Sequence, residues 1–448
     1  MKKTLLLSAL LAVTGVANAQ FWVEQDSFLP LESEGIKSIQ IIDANTVWAL
    51  GYDGSSSTPA PFQDFTRTTD GGTNWNAGTV PTGDPDLGTT NLVAINATTA
   101  WVGAVASAGG GGVWKTTNGG SVWVKQNPTA YVNANSFFNV VHFFDANVGL
   151  TQGDPINGSY EIYRTTNGGT SWTLVTGTPP PANSTEYGYN GGNVAAGTSF
   201  WFVTNQGFIY RTTDQGVTWT KHTTPITDFG AATASGSLVM SDNNNGIIIG
   251  TTGGVSTLYK TSNGGTTWTT GTTYTVPYRN VSYIKGTTIL VGTGQTGTGA
   301  TSVFASGYSF DNGTTWTQIE STTGAAGQQK TDIEFLNPTT GWAGGFTDAS
   351  LAGGIYKYVG PALSVSDVIA NSVKLVAYPN PATNVINVKG ASINKIVAYD
   401  LLGKEVLSQE FSSQDEVSIN VSSLKTGMYI MNVYNDNGAA QTMKFTKS

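Results

Sequence analysis

The chain has no cysteine, two histidines and four arginines among 448 residues, and charged side chains make up only 11% of it. No disulfide framework can brace it. A zinc or copper centre built on Cys/His clusters has no material, and His142 and His222 do not support a Ser-His-Asp arrangement. No metal and no cofactor is expected. Long apolar runs are equally scarce. The one present, Leu5 to Val16, is too short to span a bilayer, follows Lys2 and Lys3, and ends in Ala17-Asn18-Ala19. That is a signal-peptide pattern, so residues 1–19 are expected to be removed, leaving Gln20 as the mature start and no transmembrane segment. Basic charge is also thin: residues 20–360 hold 12 Lys+Arg against 22 Asp+Glu. Nucleic acid and anionic lipid, which require a basic face, are excluded as partners.

Glycine, at 56 residues, and threonine fill the space that charge leaves, a profile suited to short strands and turns. Within it one box recurs. Arg67-Thr68-Thr69-Asp70-Gly71-Gly72-Thr73-Asn74-Trp75 returns five times, its acid or amide standing at Asp70, Asn118, Asn167, Asp214, Asn263 and Asp311, spaced 48, 49, 47, 49 and 48 residues apart. Each copy closes on a tryptophan: Trp75, Trp123, Trp172, Trp219, Trp268 or Trp316. Thr/Ser and Asp/Asn side chains can bond the N–H groups of their own turn, glycine accepts positive φ, and tryptophan packs between units. The box therefore reads as a structural corner.

Two strand patterns precede each box. One ends in a polar turn, as in Ser38 to Asp43, and the next runs to glycine, as in Trp48-Ala49-Leu50-Gly51 and Trp342-Ala343-Gly344. With strands before and after the box, each unit has four antiparallel strands. Residues 21–360 divided by seven give about 48.6, so a closed array of seven such units is expected. Six boxes leave one unit incomplete. Phe21-Trp22-Val23-Glu24-Gln25 resembles Val122-Trp123-Val124-Lys125-Gln126, and the spacing predicts that residues 21–25 pair with 355–359 to close the ring.

The Thr-x-Asp-x-Gly-x-Thr-Trp pattern, sharpest at Asp214 to Trp219 and Asp311 to Trp316, resembles the Asp-box or BNR repeat of sialidase-like propellers. Joined to the Trp-Ala/Val-x-Gly strands, it looks closest to the photosystem II assembly factor-like group. This implies an all-β, seven-bladed β-propeller. Tyr378-Pro379-Asn380-Pro381, Asp400-Leu401-Leu402-Gly403-Lys404, Leu424 to Tyr429 and Lys444-Phe445-Thr446-Lys447 resemble the type A sorting domain of the type IX secretion system of Bacteroidetes. That resemblance implies a small Ig-like β-sandwich over residues 373–448 that engages the secretion machinery. It also implies passage across the outer membrane, with cleavage and attachment to surface lipopolysaccharide as onward fates. A propeller at 20–360, a linker at 361–372 and the sorting domain complete the expected layout.

Repeat positions explain all twelve tryptophans and three of the four arginines, leaving Arg279. Sialidase chemistry, which needs clustered arginines on a carboxylate, is therefore not expected. Acids outside the repeat pattern are Asp53, Asp64, Asp154, Glu186 and Asp348, of which Asp154 and Glu186 are the catalytic candidates for a two-carboxylate hydrolase. Asp242-Asn243-Asn244-Asn245-Gly246 lacks the closing glutamate of a calcium loop and reads as a turn. The long loops offer Tyr131, Tyr187, Tyr189, Tyr278 and Arg279 as residues able to grip a glycan or peptide. The sequence thus points to a secreted or surface-displayed binding module for glycan or protein. A glycoside hydrolase using loop carboxylates and an assembly factor for another exported protein are the alternatives.

Overall fold

The computed structural model describes residues 21–363 and 376–448, apart from 56–59, 127–128, 233, 254, 275–277, 298–300, 324–328, 401–403 and 436–439. The expected signal-peptide segment, most of the expected linker and Leu401 to Gly403 of one tail motif lie outside these. Among the described residues there is no α-helix, and the chain divides into two compact units, up to Pro361 and from Ala362.

The first unit holds five separate four-stranded sheets and one eight-stranded sheet, all antiparallel. The larger sheet is two four-strand sets joined through the single pair Gly35–Phe346. Within each set, consecutive strands are neighbours, as hairpins require. The first strands are Glu34–Ile41, Leu87–Ala94, Phe138–Phe143, Gly188–Ala196, Ala234–Met240, Tyr278–Tyr283 and Ile333–Asn337. Each touches the next in turn, and the last touches the first, so they form a closed inner ring around a channel. This is a β-propeller. Between its sheets, the second-strand tryptophans Trp48, Trp101, Trp201 and Trp342 are fully buried, the largest apolar faces available to seal adjacent sheets.

The box corners repeat atom for atom. In all six, the Thr/Ser hydroxyl accepts the N–H of the glycine four residues on at 2.8–3.0 Å and donates to the Asp/Asn Oδ1 at the same range. That Oδ1 in turn accepts the backbone N–H four residues on. Asp and Asn share this acceptor, which is why the two alternate freely. That glycine sits at φ 79 to 90°, where a side chain would be strained.

The cation before the box reaches into the following sheet. Lys115 Nζ donates to Gly168 O at 2.9 Å and Arg164 Nε to Gln215 O at 2.8 Å, and from the equivalent position in the set without a box Lys357 Nζ donates to Gly71 O at 2.7 Å. Arg67, Arg211 and Lys260 make equivalent contacts to Ala97 O, Asn243 O and Thr314 Oγ1. Several also lie over second-strand tryptophans, as Arg67 does over Trp48 at 5.1 Å. Only Tyr308, the residue before the sixth box, breaks the series.

Ring closure uses the N-terminal strand. Trp22–Asp26 pairs antiparallel with Gly354–Tyr358, as residues 21–25 and 355–359 were expected to do. Gln25 then locks the joint: its Nε2 donates to Gly72 O at 2.6 Å, while its Oε1 accepts from Trp75 Nε1 at 3.2 Å and Trp342 Nε1 at 3.3 Å.

The second unit is one hydrogen-bonded five-stranded sheet. Where sequence patterning suggests separate strands at Val385–Val388 and Lys395–Tyr399, a single strand Val385–Tyr399 runs through. Register irregularities between Lys389 and Lys395 bend it, so that Ile386 and Val388 share one core with Ile396, Ala398 and Phe445.

Two outcomes follow from these contacts. Gln25→Ala leaves two indole N–H groups without their acceptor and should cost about 1–3 kcal/mol of unfolding free energy, measured by urea denaturation. Asp214→Asn should be nearly neutral in the same assay, because the Oδ1 acceptor survives, whereas Asp214→Ala should lose about 1–2 kcal/mol. Equal losses for the two Asp214 variants would contradict the corner's hydrogen-bond role.

Candidate binding face at the bulged end of the inner strands

The first strands enter the ring at the end opposite the boxes, where the loops between second and third strands also lie. Five of them break register near this entry. The extra residues are Lys37, Thr90–Asn91, Asn139, residues 189–192 and Arg279. A bulge re-aims a side chain out of the alternation that would bury it between sheets. The repeated break therefore sets polar groups around the loop-side mouth of the channel.

Most of these groups are engaged by the protein. Lys37 Nζ donates to Thr89 O, and burial lowers its pKa to about 8. Asn91 clamps Val141, accepting its N–H at 3.0 Å and donating to its carbonyl at 2.8 Å. Asn139 Nδ2 donates to Asp154 Oδ1 at 2.7 Å, and the same oxygen accepts the Gly188 N–H at 2.9 Å. Arg279 is exposed, and among the described residues it has no hydrogen-bond or ion-pair partner. Two cavities open on this face, of about 360 and about 550 Å³, and share Tyr52 as a wall. Lys37 lines the first and Arg279 the second.

The residues singled out from sequence separate in the structure. Tyr131 and Tyr278 are buried. The Tyr131 hydroxyl donates to Thr151 Oγ1 or Glu161 O, each at 3.0 Å, and the Tyr278 ring packs on Trp316 at 4.8 Å. Both are packing residues instead of grips, because Thr151 and Glu161 hold the Tyr131 hydroxyl inside and Tyr278, the first residue of its strand, packs against Trp316. Tyr187 is exposed and meets Tyr189 edge-on at 5.6 Å, while the Tyr189 hydroxyl is held by Asp228.

Glu186 is buried, forms an ion pair with Lys221 at 2.7 Å and accepts the Asn183 N–H at 2.7 Å. Its carboxylate is thus a structural anchor and does not serve as a free general acid. Asp154 is half-buried, and desolvation raises its pKa against the two hydrogen bonds it accepts. Asp53 and Asp348 cap their own loops, and Asp242 caps the turn at Asn244 and Asn245. His142 lies against Phe144 and Phe200, and burial lowers its pKa to about 4.

Sequence reasoning missed the bulges and the acids of the inner ring. The signal was present: polar residues breaking into an apolar strand start, one in Phe138-Asn139-Val140 and two in Ile36-Lys37-Ser38 and Tyr278-Arg279-Asn280. The acids cap the exposed edge of the neighbouring first strand. Asp332 Oδ2 accepts the Ile39 N–H and Glu334 Oε2 the Ile41 N–H, both at 2.7 Å. Burial raises their pKa values to about 6 and about 8.

Folded Glu334 keeps its proton over a range where the unfolded chain, titrating near 4.5, has released it. Stability should therefore fall as pH rises from about 4.5 to about 8 and level off above. Glu334→Gln preserves the acceptor for Ile41 without the charge, so it should flatten the upper part of that fall. Thermal melts near pH 5 and near pH 8 on both proteins give the comparison, and an unaltered slope would exclude Glu334 as its source.

Residues 376–448 match the family described as a secretion system C-terminal sorting domain. Among curated protein sequences none matches the chain. Of solved structures, YCF48 bound to D1 peptide aligns at 18% identity and TM-score 0.52, covering 76% of this chain and 98% of that one. YCF48 from Cyanidioschyzon merolae aligns at 16% identity and TM-score 0.52, covering 76% and 99%. At such identities the likeness is one of fold. The chain is an all-β propeller carrying a C-terminal sorting domain, exported by the type IX secretion system to the cell surface or the extracellular space.

Proposed function

We propose that this protein is a seven-bladed binding module displayed outside the cell, taking a glycan or protein ligand on its loop face. In this reading residues 1–19 are a signal peptide, 20–360 the propeller, 361–372 a linker and 373–448 the segment that engages the secretion machinery. The supporting observation is the division of labour between the two ends of the ring. Cavities open at both ends, but at the box end the corner hydroxyls, the Asp/Asn side chains and the preceding cations are used in corners and inter-sheet bonds, whereas the two loop-end cavities around Tyr52 include the unpartnered Arg279. Rigid rings with variable loops favour binding at the loops.

A protein ligand is favoured by one further feature. Phe28 and Leu31 are 59% and 61% exposed, and Leu351 is exposed beside them, since Ser27 N donates to Gly353 O and Thr347 Oγ1 to Leu31 O. Phe28 and Leu351 have φ of 56° and 63°, a costly conformation for bulky residues. The YCF48 relative carries a bound peptide, which supports the same reading by analogy of fold. A hydrolase finds less support, because Glu186 is ion-paired and Asp154 is engaged by two donors.

Capture from glycan arrays and from outer-surface protein extracts by residues 20–448, followed by turnover assays on whatever is captured, tests the proposal. Binding should survive Asp214→Asn and weaken when Tyr52 or Phe28 is replaced by alanine. Steady product release from a captured glycan would instead establish the hydrolase.

A further inference from the structure

The cations of the propeller can be followed one by one. Of the twelve Lys and Arg side chains in residues 20–360, five reach the next sheet from the position before a box, and Lys357 does so from the equivalent position of the set that has no box. Lys37 bonds Thr89 O, Lys125 lies over Trp114, and Lys221 and Lys330 are ion-paired with Glu186 and Glu320. Lys285 faces Glu334 electrostatically at the box end of the channel. Arg279 remains, without a protein partner among the described residues, in a domain where acids outnumber bases by 22 to 12. It is the single extra residue of its bulge, which turns it towards the loop-side mouth and out of the inter-sheet packing.

Among the described residues, no carboxylate lines the Arg279 cavity of about 550 Å³. Its other polar side chains are carboxamides, hydroxyls and Lys330, whose Nζ is ion-paired with Glu320. Asn280 Nδ2 donates to Lys330 O at 3.1 Å and Gln295 Nε2 to Ser302 Oγ at 2.9 Å, which leaves each amide oxygen as an acceptor. Gln329 and Thr296 are exposed at the rim. Tyr52 supplies the one aromatic wall, its ring fixed edge-on against Phe346 at 5.8 Å. A guanidinium fork matches a planar or tetrahedral oxyanion, amides and hydroxyls match a polyol, and one ring suits stacking against a sugar face. An acidic peptide fits less well, because apart from Tyr52 no apolar side chain lines the cavity to receive its side chains.

We infer that this cavity is a subsite for an acidic saccharide, with Arg279 holding the carboxylate or sulfate and Tyr52 the ring. The inference rests on the binding-module reading and names the ligand class. A saccharide anion replaces the partner that every other cation of the domain already has inside the protein. Asn280, Gln295 and Gln329 orient the hydroxyls around it.

Titration calorimetry on residues 20–448 tests this with four probes: an oligogalacturonate, a chondroitin sulfate oligosaccharide, a neutral cello-oligosaccharide and poly-glutamate. One of the two acidic saccharides should bind, and which of them does identifies the anion. Arg279→Ala should weaken that binding roughly tenfold or more, with Arg279→Lys intermediate, since lysine keeps the charge and loses the fork. Melting temperatures should not move, because among the described residues Arg279 makes no hydrogen bond or ion pair. Equal affinity of Arg279→Ala for the acidic saccharide overturns the inference, as does poly-glutamate binding as tightly. Should the chain capture a neutral glycan or a surface protein with Arg279→Ala unaffected, the binding-module reading stands and this inference falls. If it captures neither glycan nor protein, that reading falls with it.

Discussion

An antiparallel array is only as sound as its last edge, and the propeller unit depends on one pairing that joins its two ends. Trp22–Asp26 supplies the outer strand of the set that begins at Ile333, so the first and last parts of the unit belong to one sheet. Without that strand, Gly353–Tyr358 would present unpaired N–H and C=O groups to any passing chain. The joint is also the most cross-linked point of the ring. Gln25 bridges Trp75 and Trp342, Lys357 reaches Gly71, and Trp22 Nε1 donates to Ser306 Oγ of the preceding sheet at 3.0 Å.

Closure leaves the inner edge of each first strand facing the channel, and the protein meets that need with side chains from the neighbouring first strand. Asp332 and Glu334 bond the N–H groups of Ile39 and Ile41, Gln40 bonds that of Ala94, and Asn91 that of Val141. On the opposite arc the pattern thins. Gly188–Ala196 and Ala234–Met240 are half-exposed along most of their lengths, whereas Leu87–Ala94 and Phe138–Phe143 are almost wholly buried. The channel is accordingly open on one side at its box end, where a cavity of about 770 Å³ lies against Val194, Met240 and Tyr283. Similar repeats therefore build an asymmetric ring, with the asymmetry carried by a few inner-strand residues.

Sequence patterns revealed what repeats and concealed what does not. The six corners were legible because their bonding is local: the hydroxyl, carboxylate or amide, and glycine N–H of one corner lie within four residues of one another. The closing strand was legible because residues 21–25 copy a strand found elsewhere in the chain. Tyr131 and Tyr278 were misplaced because an aromatic near a loop reads as exposed, while its burial is decided by partners such as Thr151 and Trp316, twenty or more residues away. Glu186 was misread for the same reason, its ion pair with Lys221 spanning 35 residues. The bulges escaped because each shifts the alternation by only one or a few residues, within the noise of short strands.

This difference in range bears on where function can reside. A corner made by local bonds tolerates any neighbour but offers little to a ligand, since the hydroxyl and the Asp/Asn Oδ1 of each box already have partners in their own turn. A bulge does the opposite. It ejects one residue from the packing without altering the strands on either side, so the ejected side chain can differ from sheet to sheet at little cost to the ring. Lys37, Asn91 and Asn139 have been drawn back into inter-sheet or inter-strand bonds, and Arg279 has not. Variation in recognition is thereby confined to positions that the periodic hydrogen bonding does not use, which explains how a rigid repeated scaffold can carry a single unrepeated site.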